Sequence, residues 1–316
     1  MTPLVTVVCL CYNHAPYVEE ALYSVIHQTY QPLQILIVDD ASTDLSREII
    51  QKVLTDHPHI GFLPLYSNIG NCAAFNAVLS QVKGKYVVDF ATDDVMHPDR
   101  IYRQVKKFET LSDDVGVLFT DAEYIDTNGK TLRSHFEYLF KKKLITRIPT
   151  GDVYRDVLSR YFIPSPTMLV RKKVFDELNG YDENLVYEDF DFWVRSARKF
   201  KYEFLNEKLT FIRKTKTSMS AGWYTQGDRQ LHSTYMVCCK ALALNRDEAD
   251  RQALANRVRY EFRQSVLSQN DEEAELFYEL LNGLGGGNWM SSGFRILSKL
   301  RLPLAPLRRL YHRIRY

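Results

Sequence analysis

Short runs of β-branched and aliphatic residues recur through the first half of the chain, each followed by a polar cluster and a stretch with helical spacing. VTVVCLC (5–11), bounded by Pro3 and Asn13, reads as a strand buried on both faces. Pro16 then suits a helix's first turn, and Val18, Leu22, Val25 and Ile26 share one helical face. LQILIVDD (33–40) is a second buried strand, and STDLSREIIQKVL (42–54) a helix with Ser42 or Thr43 as its cap. GFLPLYS (61–67) is shorter, and Pro64 marks an edge or a bulge. Helical CAAFNAVLSQV (72–82), strand KYVVDFA (85–91), helix RIYRQVKKFETL (100–111) and strand VGVLFTD (115–121) continue the alternation. Such β-α-β-α repetition predicts a Rossmann-like, mostly parallel sheet flanked by helices. Ligands in these sheets bind at the carboxyl ends of the strands. Here those ends carry CYNH (11–14), VDDASTD (38–44) and ATDD (91–94), which together predict one site.

Beyond residue 122 the pattern changes. EYIDTNGKTL (123–132) suggests a hairpin turning at Asn128-Gly129. A helix at DVYRDVLSRYF (152–162), a strand at PTMLVR (166–171), a short helix ending at Gly180 and a helix at EDFDFWVRSARKF (188–200) follow. From about residue 226 the chain reads as helical up to the flexible joint GLGGGN (283–288). The expected division is 1–222 as a catalytic domain, split into 1–121 and 122–222, then 223–284 as a helical extension and 285–316 as a basic amphipathic tail.

Composition excludes several classes. With 45% hydrophobic and 25% charged residues in 316, the chain is that of a globular protein with a sizeable core. A net charge of +2 gives no reason to expect nucleic acid as a partner. Five cysteines without metal-ligand spacing predict reduced thiols and a cytoplasmic setting. The start MTPLVTVVCLCYNH lacks a basic n-region, so it does not read as a signal peptide, and no stretch is apolar enough for a membrane span. No Gly-x-Gly-x-x-Gly follows the first strand, which removes support for a dinucleotide-dependent oxidoreductase.

The order of several motifs resembles glycosyltransferase family 2. Tyr12-Asn13, Tyr17-Val18, Ser24-Val25, Gln28-Thr29-Tyr30, Val38-Asp39-Asp40 and Ser42-Thr43-Asp44 are similar to that family's opening. NIGNCAAFNAVLSQVKGKYV (68–87) resembles its Asn-x-Gly segment, and NGYDENLVYEDFDFWVR (179–195) its Glu-Asp region. The resemblance covers about residues 4–220. It implies the glycosyltransferase-A fold, to which the helical spacing after residue 226 adds a helical C-terminal extension, and it implies an inverting transfer of sugar from a nucleoside diphosphate, UDP favoured, to an acceptor hydroxyl. The implied setting is cell-surface polysaccharide or glycolipid synthesis, with a glycan or lipid-linked glycan as acceptor.

Roles follow residue by residue. The resemblance assigns Asp40 to the nucleobase edge, where a carboxylate accepts an N–H strongly, with Tyr12 or its neighbour Asn13 packing on the base. The family's Asp-x-Asp-Asp appears here with Ala91 in its first place, so Asp93 is assigned to the ribose and Asp94 to Mn²⁺ or Mg²⁺. The rival reading makes Asp94 the cap of the helix entered at Pro98. The resemblance assigns the general base to Asp189, with Glu188 and Asp191 as alternates; an acid at a helix N-terminus stays ionised, as that role needs. Thr215 stands where many relatives have a metal-binding His, which implies weaker metal dependence, with Arg213, Lys214 and Lys216 contacting the diphosphate. Ala91 and Thr215 also support an alternative, a non-catalytic nucleotide-sugar-binding or scaffolding protein.

The tail is read from its own residues. No Asp or Glu follows Glu279, whereas Arg295, Lys299, Arg301, Arg308, Arg309, Arg313 and Arg315 do. That leaves 34 Lys and Arg against 39 Asp and Glu before it, a charge of about −5. Leu304, Leu307, Leu310, Tyr311 and Ile314 recur on one helical face. The expectation is either an anionic membrane surface, placing the protein at the inner face of the plasma membrane, or packing on the domain or a second subunit.

Overall fold

A computed structural model describes residues 2–215 and 224–299. In chain order the elements open with β1 (Val5–Cys11), α1 (Val18–Ile26), β2 (Leu33–Asp39), α2 (Ser46–Asp56), β3 (Gly61–Pro64), α3 (Asn71–Leu79) and β4 (Tyr86–Ala91). Next come β5 (Val95–Met96), α4 (Arg100–Phe108), β6 (Val115–Ile125), β7 (Thr131–Ser134), α5 (His135–Lys141) and α6 (Tyr154–Ser159). The remainder is β8 (Leu169–Arg171), α7 (Lys172–Leu178), α8 (Asp189–Ser196), β9 (Lys201–Arg213), α9 (Arg229–Leu244), α10 (Glu248–Leu267), α11 (Asp271–Gly283) and α12 (Trp289–Lys299).

Two compact units result, and they interleave in sequence. Of the described residues, the first comprises 2–152, 162–183 and 199–215, and the second 153–161, 184–198 and 224–299.

The first unit holds the sheet, a mixed α/β arrangement flanked by helices. Its strand order is β3-β2-β1-β4-β8-β6-β9-β5, with β7 on β6. Strands β3, β2, β1 and β4 are all parallel, as their continuous apolar runs require. Val5, Val7, Val8, Ile37, Val38, Val87 and Val88 are buried. β3 stands at the sheet edge, where Pro64 is tolerated. Gly84 leads into β4, and a Cβ there would lie 2.5 Å from the Thr6 nitrogen. From β1 the chain runs outward to β2 and β3, then returns to β4 on the other side of β1. That reversal places the switch-point crevice at the carboxyl ends of β1 and β4.

Several elements depart from the sequence expectation, among them β5 and α5, which the periodicity reading does not contain. Residues 201–213, which the periodicity reading leaves unassigned, form the longest strand, pairing parallel with β6 and antiparallel with β5. Ser42 and Thr43 do not cap α2, which begins at Ser46. Asp44 instead accepts from Ser46 N at 3.0 Å and from Ser46 Oγ at 2.5 Å, and Ser42 and Thr43 turn to Asn13.

The second unit is helical: α6, α8 and α9 to α12. Asp250, buried at the start of α10, accepts from Arg155 Nε at 2.7 Å and also pairs with Arg198. Among the described residues no helix is long and apolar enough to cross a membrane. Residues 300–316, most of the expected tail, lie outside the described residues, as does Lys216.

Candidate active site

The three strand ends singled out by the sequence meet in the first unit. After β1 the chain turns through Asn13 in the left-handed region (φ 58°), which Asn tolerates better than most residues. Asn13 N donates to Ser42 Oγ at 3.0 Å, and its Oδ1 accepts from Thr43 N at 2.8 Å. His14 N donates to Ser46 Oγ at 2.9 Å, and His14 Nδ1 lies 2.9 Å from Thr92 Oγ1. Loops following β1, β2 and β4 are thus knitted by hydrogen bonds between residues about 30 and 78 apart in sequence. Tyr12, at their edge, is 45% exposed.

The two acids ending β2 have different surroundings. Asp39 is fully buried and binds Arg47 through Oδ2, at 3.0 Å from Nε and 2.7 Å from Nη2. Arg47 also donates to Leu65 O, so this pair fastens α2 to the segment after β3. Asp40 accepts Ile69 N at 2.8 Å on Oδ1 and Gly70 N at 2.9 Å on Oδ2. Gly70 has φ +85°, a conformation that favours glycine and turns its N–H toward the carboxylate. Each carboxylate oxygen retains a second acceptor direction, so Asp40 has capacity left for a nucleobase N–H.

At the end of β4, Thr92 is buried and donates to Leu10 O at 3.1 Å. Asp93 is half-buried and Asp94 is 3% exposed. Asp94 does not cap the next helix: its Oδ1 accepts the backbone N–H of Arg213 at 2.8 Å. Burial, and then the adjacent Asp93 carboxylate, push the Asp94 carboxyl well above the usual range. Arg213 N–H, Lys214 and Arg100 oppose that rise. Burial lowers Lys214, and Asp94 draws it back up.

The guanidinium of Arg213 is turned inward. It donates to Asp93 O (3.0 Å), Asp126 O (3.2 Å) and Glu20 Oε2 (2.7 Å), and lies over the Tyr17 ring at 4.6 Å. These contacts make it a brace for the Asp93–Asp94 turn. Lys214, whose Nζ lies 4.5 Å from the Tyr124 ring centroid, and fully buried Arg100 are the other cations acting on Asp94. Arg100, Glu20 and Tyr17 carry no spacing signal that links them to the acids.

Among the described residues no group of three or more His, Cys, Asp or Glu is arranged to hold a metal. The available donors are the hard carboxylate oxygens of Asp93 and Asp94. They fit Mg²⁺ or Mn²⁺ only as part of a shell completed by phosphate and water oxygens.

The remaining acids lie in the second unit. Glu188 is the N-cap residue of α8 and Asp189 its first residue, both half-buried, and Phe192 N donates to Glu188 O at 2.9 Å. Asp191 is 1% exposed and has both oxygens in ion pairs, with Arg195 Nε and with Lys240 Nζ, each at 2.6 Å. α8 ends at Ser196, short of the helix over 188–200 that the spacing predicts; Trp193 and Ala197 are buried at its end, and Phe200 is buried outside it, in the first unit.

Comparison with known proteins agrees with this arrangement. The family described as "Glycosyl transferase family 2" matches residues 6–178, which include Asp40, Asp93 and Asp94 but not Asp189 or Arg213. An uncharacterized glycosyltransferase of Methanocaldococcus jannaschii is 29% identical over 211 residues, spanning 66% of this chain and 69% of that protein. Another, from Rickettsia prowazekii, is 30% identical over 210 residues, 66% of this chain and 63% of that protein. S. aureus TarS 1-349, solved in complex with UDP-GlcNAc, shares the fold with a TM-score of 0.69 at 16% identity, covering 99% of this chain and 92% of that one. The mannosyltransferase PcManGT from Pyrobaculum calidifontis, solved with GDP-Man and Mn²⁺, has a TM-score of 0.60 at 16% identity over 100% and 84% of the chains. With its motifs, its strand-end acids and this matched profile, the chain belongs to glycosyl transferase family 2, a family of glycosyl-transferring enzymes.

Proposed function

We propose that the protein transfers a sugar from a nucleoside-diphosphate sugar, UDP favoured, to an acceptor hydroxyl in one displacement that inverts the anomeric centre. The observation carrying this reading is the hydrogen-bonded convergence of the β1, β2 and β4 ends around Asp40, Asp93 and Asp94. Asp40 receives the base N–H, a carboxylate partner that suits uracil or thymine and also guanine, while Tyr12 and Asn13 border the base and Asp93 the ribose. Arg213 holds Asp93 and Asp94 in place. Asp94, with Asp93 beside it, would hold Mn²⁺ or Mg²⁺ bound with the diphosphate, which supplies positive charge to the leaving group. Asp189 takes the acceptor proton as the acceptor oxygen bonds to the anomeric carbon and the carbon–phosphate-oxygen bond breaks. Glu188 is the alternate, while the two ion pairs of Asp191 support a structural role for it.

A glycan or lipid-linked glycan is the acceptor in this reading, and an anionic inner leaflet the setting. The acid-free composition after Glu279 supports this. So does α12, whose Trp289, Met290 and Ile296 are exposed while Arg295 on the same helix pairs with Glu275. The test is to measure nucleoside diphosphate release from a panel of nucleoside-diphosphate sugars with Mn²⁺. Asp189→Asn should retain UDP binding and lose ~10²–10⁴-fold in turnover, the range for a lost general base. Full turnover in that variant moves the role to Glu188.

A further inference from the structure

Segment 186–191, which carries the acidic pair, is fastened at three points to one face of α9. Val186 N donates to Ser233 Oγ at 3.0 Å. Tyr187 Oη lies 2.6 Å from Thr234 Oγ1. Asp191 Oδ1 accepts from Lys240 Nζ at 2.6 Å. Ser233 and Lys240 are seven residues apart, two helical turns, so the three anchors line one side of α9.

Thr234 Oγ1 donates its proton to Gln230 O at 2.9 Å, so it accepts from Tyr187. Tyr187 has then used its own proton, and its oxygen accepts from Tyr161 Oη at 3.2 Å. The order is Tyr161 to Tyr187 to Thr234 to Gln230, a chain with one defined polarity. Arg257, whose guanidinium lies 4.0 Å from the Tyr161 ring centroid and donates to Leu158 O at 2.9 Å, backs it from α10.

Glu188 and Asp189 sit between Tyr187 and Asp191, whose side chains α9 holds, with the Val186 backbone N–H held just before them. α9 and α10 lie beyond the residues matched by the family. We propose that Thr234 and Lys240 are positioning residues for the catalytic base, and that α9 serves as its template. This rests on the reading of Asp189 as the base. A burial-only role would need apolar contacts at these positions, whereas the structure places a hydroxyl and an ammonium on defined atoms of the acidic segment.

The experiment compares full-length wild type with Thr234→Val, Lys240→Met and Lys240→Arg. The readouts are Mn²⁺-UDP affinity, kcat and KM for UDP release from a UDP-sugar, and amide hydrogen exchange at 186–191. Lys240→Met should keep UDP affinity and donor KM, lose kcat on the order of 10²-fold, and exchange faster at 186–191. Lys240→Arg, which can still reach the carboxylate, should recover most of the loss. Thr234→Val should behave like Lys240→Met in direction. Unchanged exchange and unchanged kcat in Lys240→Met would overturn the proposal, as would an equal loss of UDP binding, which would signal general destabilisation. A fully active Asp189→Asn enzyme would instead overturn the base assignment, whatever Lys240→Met shows.

Discussion

Arg213 and Asp94 are joined by a 2.8 Å hydrogen bond from backbone N–H to Oδ1, across 119 positions of sequence. The bond ties the end of β9 to the turn after β4, and the same arginine's side chain holds the Asp93 carbonyl. One residue therefore sets both acids, and its loss should be felt in the geometry of the pair.

Asp94→Asn keeps an oxygen to accept Arg213 N–H but removes the charge directed at a cation. UDP should still bind, while the strengthening of that binding by Mn²⁺ should fall about tenfold or more, since a hard cation depends on charged oxygen donors. Titration of UDP by calorimetry with and without Mn²⁺ measures this. Undiminished Mn²⁺ enhancement would remove Asp94 from the role.

Arg213→Lys preserves the charge but not the fork that reaches Asp93 O, Asp126 O and Glu20. As a brace, it should cost about 1–3 kcal/mol of stability through unsatisfied buried carbonyls, and weaken Mn²⁺-UDP binding with it. Urea unfolding and UDP titration separate the cases. Weaker binding at unchanged stability would mean that Arg213 touches the diphosphate itself.

Asp40→Asn substitutes an amide for a carboxylate that accepts two backbone N–H groups. One of those donors would face a second donor, costing about 1–3 kcal/mol in the 68–70 segment. Nucleobase binding should fall as well, so UDP affinity drops more than it does in Asp94→Asn without metal. Retained affinity for UDP would show that Asp40 serves only the loop.

Deleting residues 289–316 should abolish co-sedimentation with phosphatidylglycerol vesicles and leave UDP affinity unchanged, because each basic side chain near an anionic surface contributes up to ~1 kcal/mol. Phosphatidylcholine vesicles serve as the control. If the truncated protein loses a dimer or unfolds in size-exclusion chromatography, the segment packs on protein instead.

Much of the sheet was legible because a strand buried on both faces needs an unbroken apolar run. β1, β2 and β4 accordingly begin and end within a residue of their sequence expectation. β9 was not legible. KYEFLNEKLTFIR mixes both faces, with Asn206, Glu207 and Lys208 in its middle, and its ladder with β6 shifts register repeatedly. β5, two residues long, exists only through its pairing with that strand. The cap of α2 was misplaced because Ser42 and Thr43 found Asn13, a residue from another strand end, before the helix began.

From the sequence alone, then, came where the buried parallel strands lie and that acids stand at their carboxyl ends, since both are properties of local runs. Tertiary structure decided which donors each acid meets. Asp39 went to Arg47, Asp40 to the Ile69 and Gly70 amides, Asp94 to the Arg213 amide, and Asp191 to Arg195 and Lys240. A buried carboxylate must find donors wherever the fold brings them, and most of these come from segments that no local spacing connects to it.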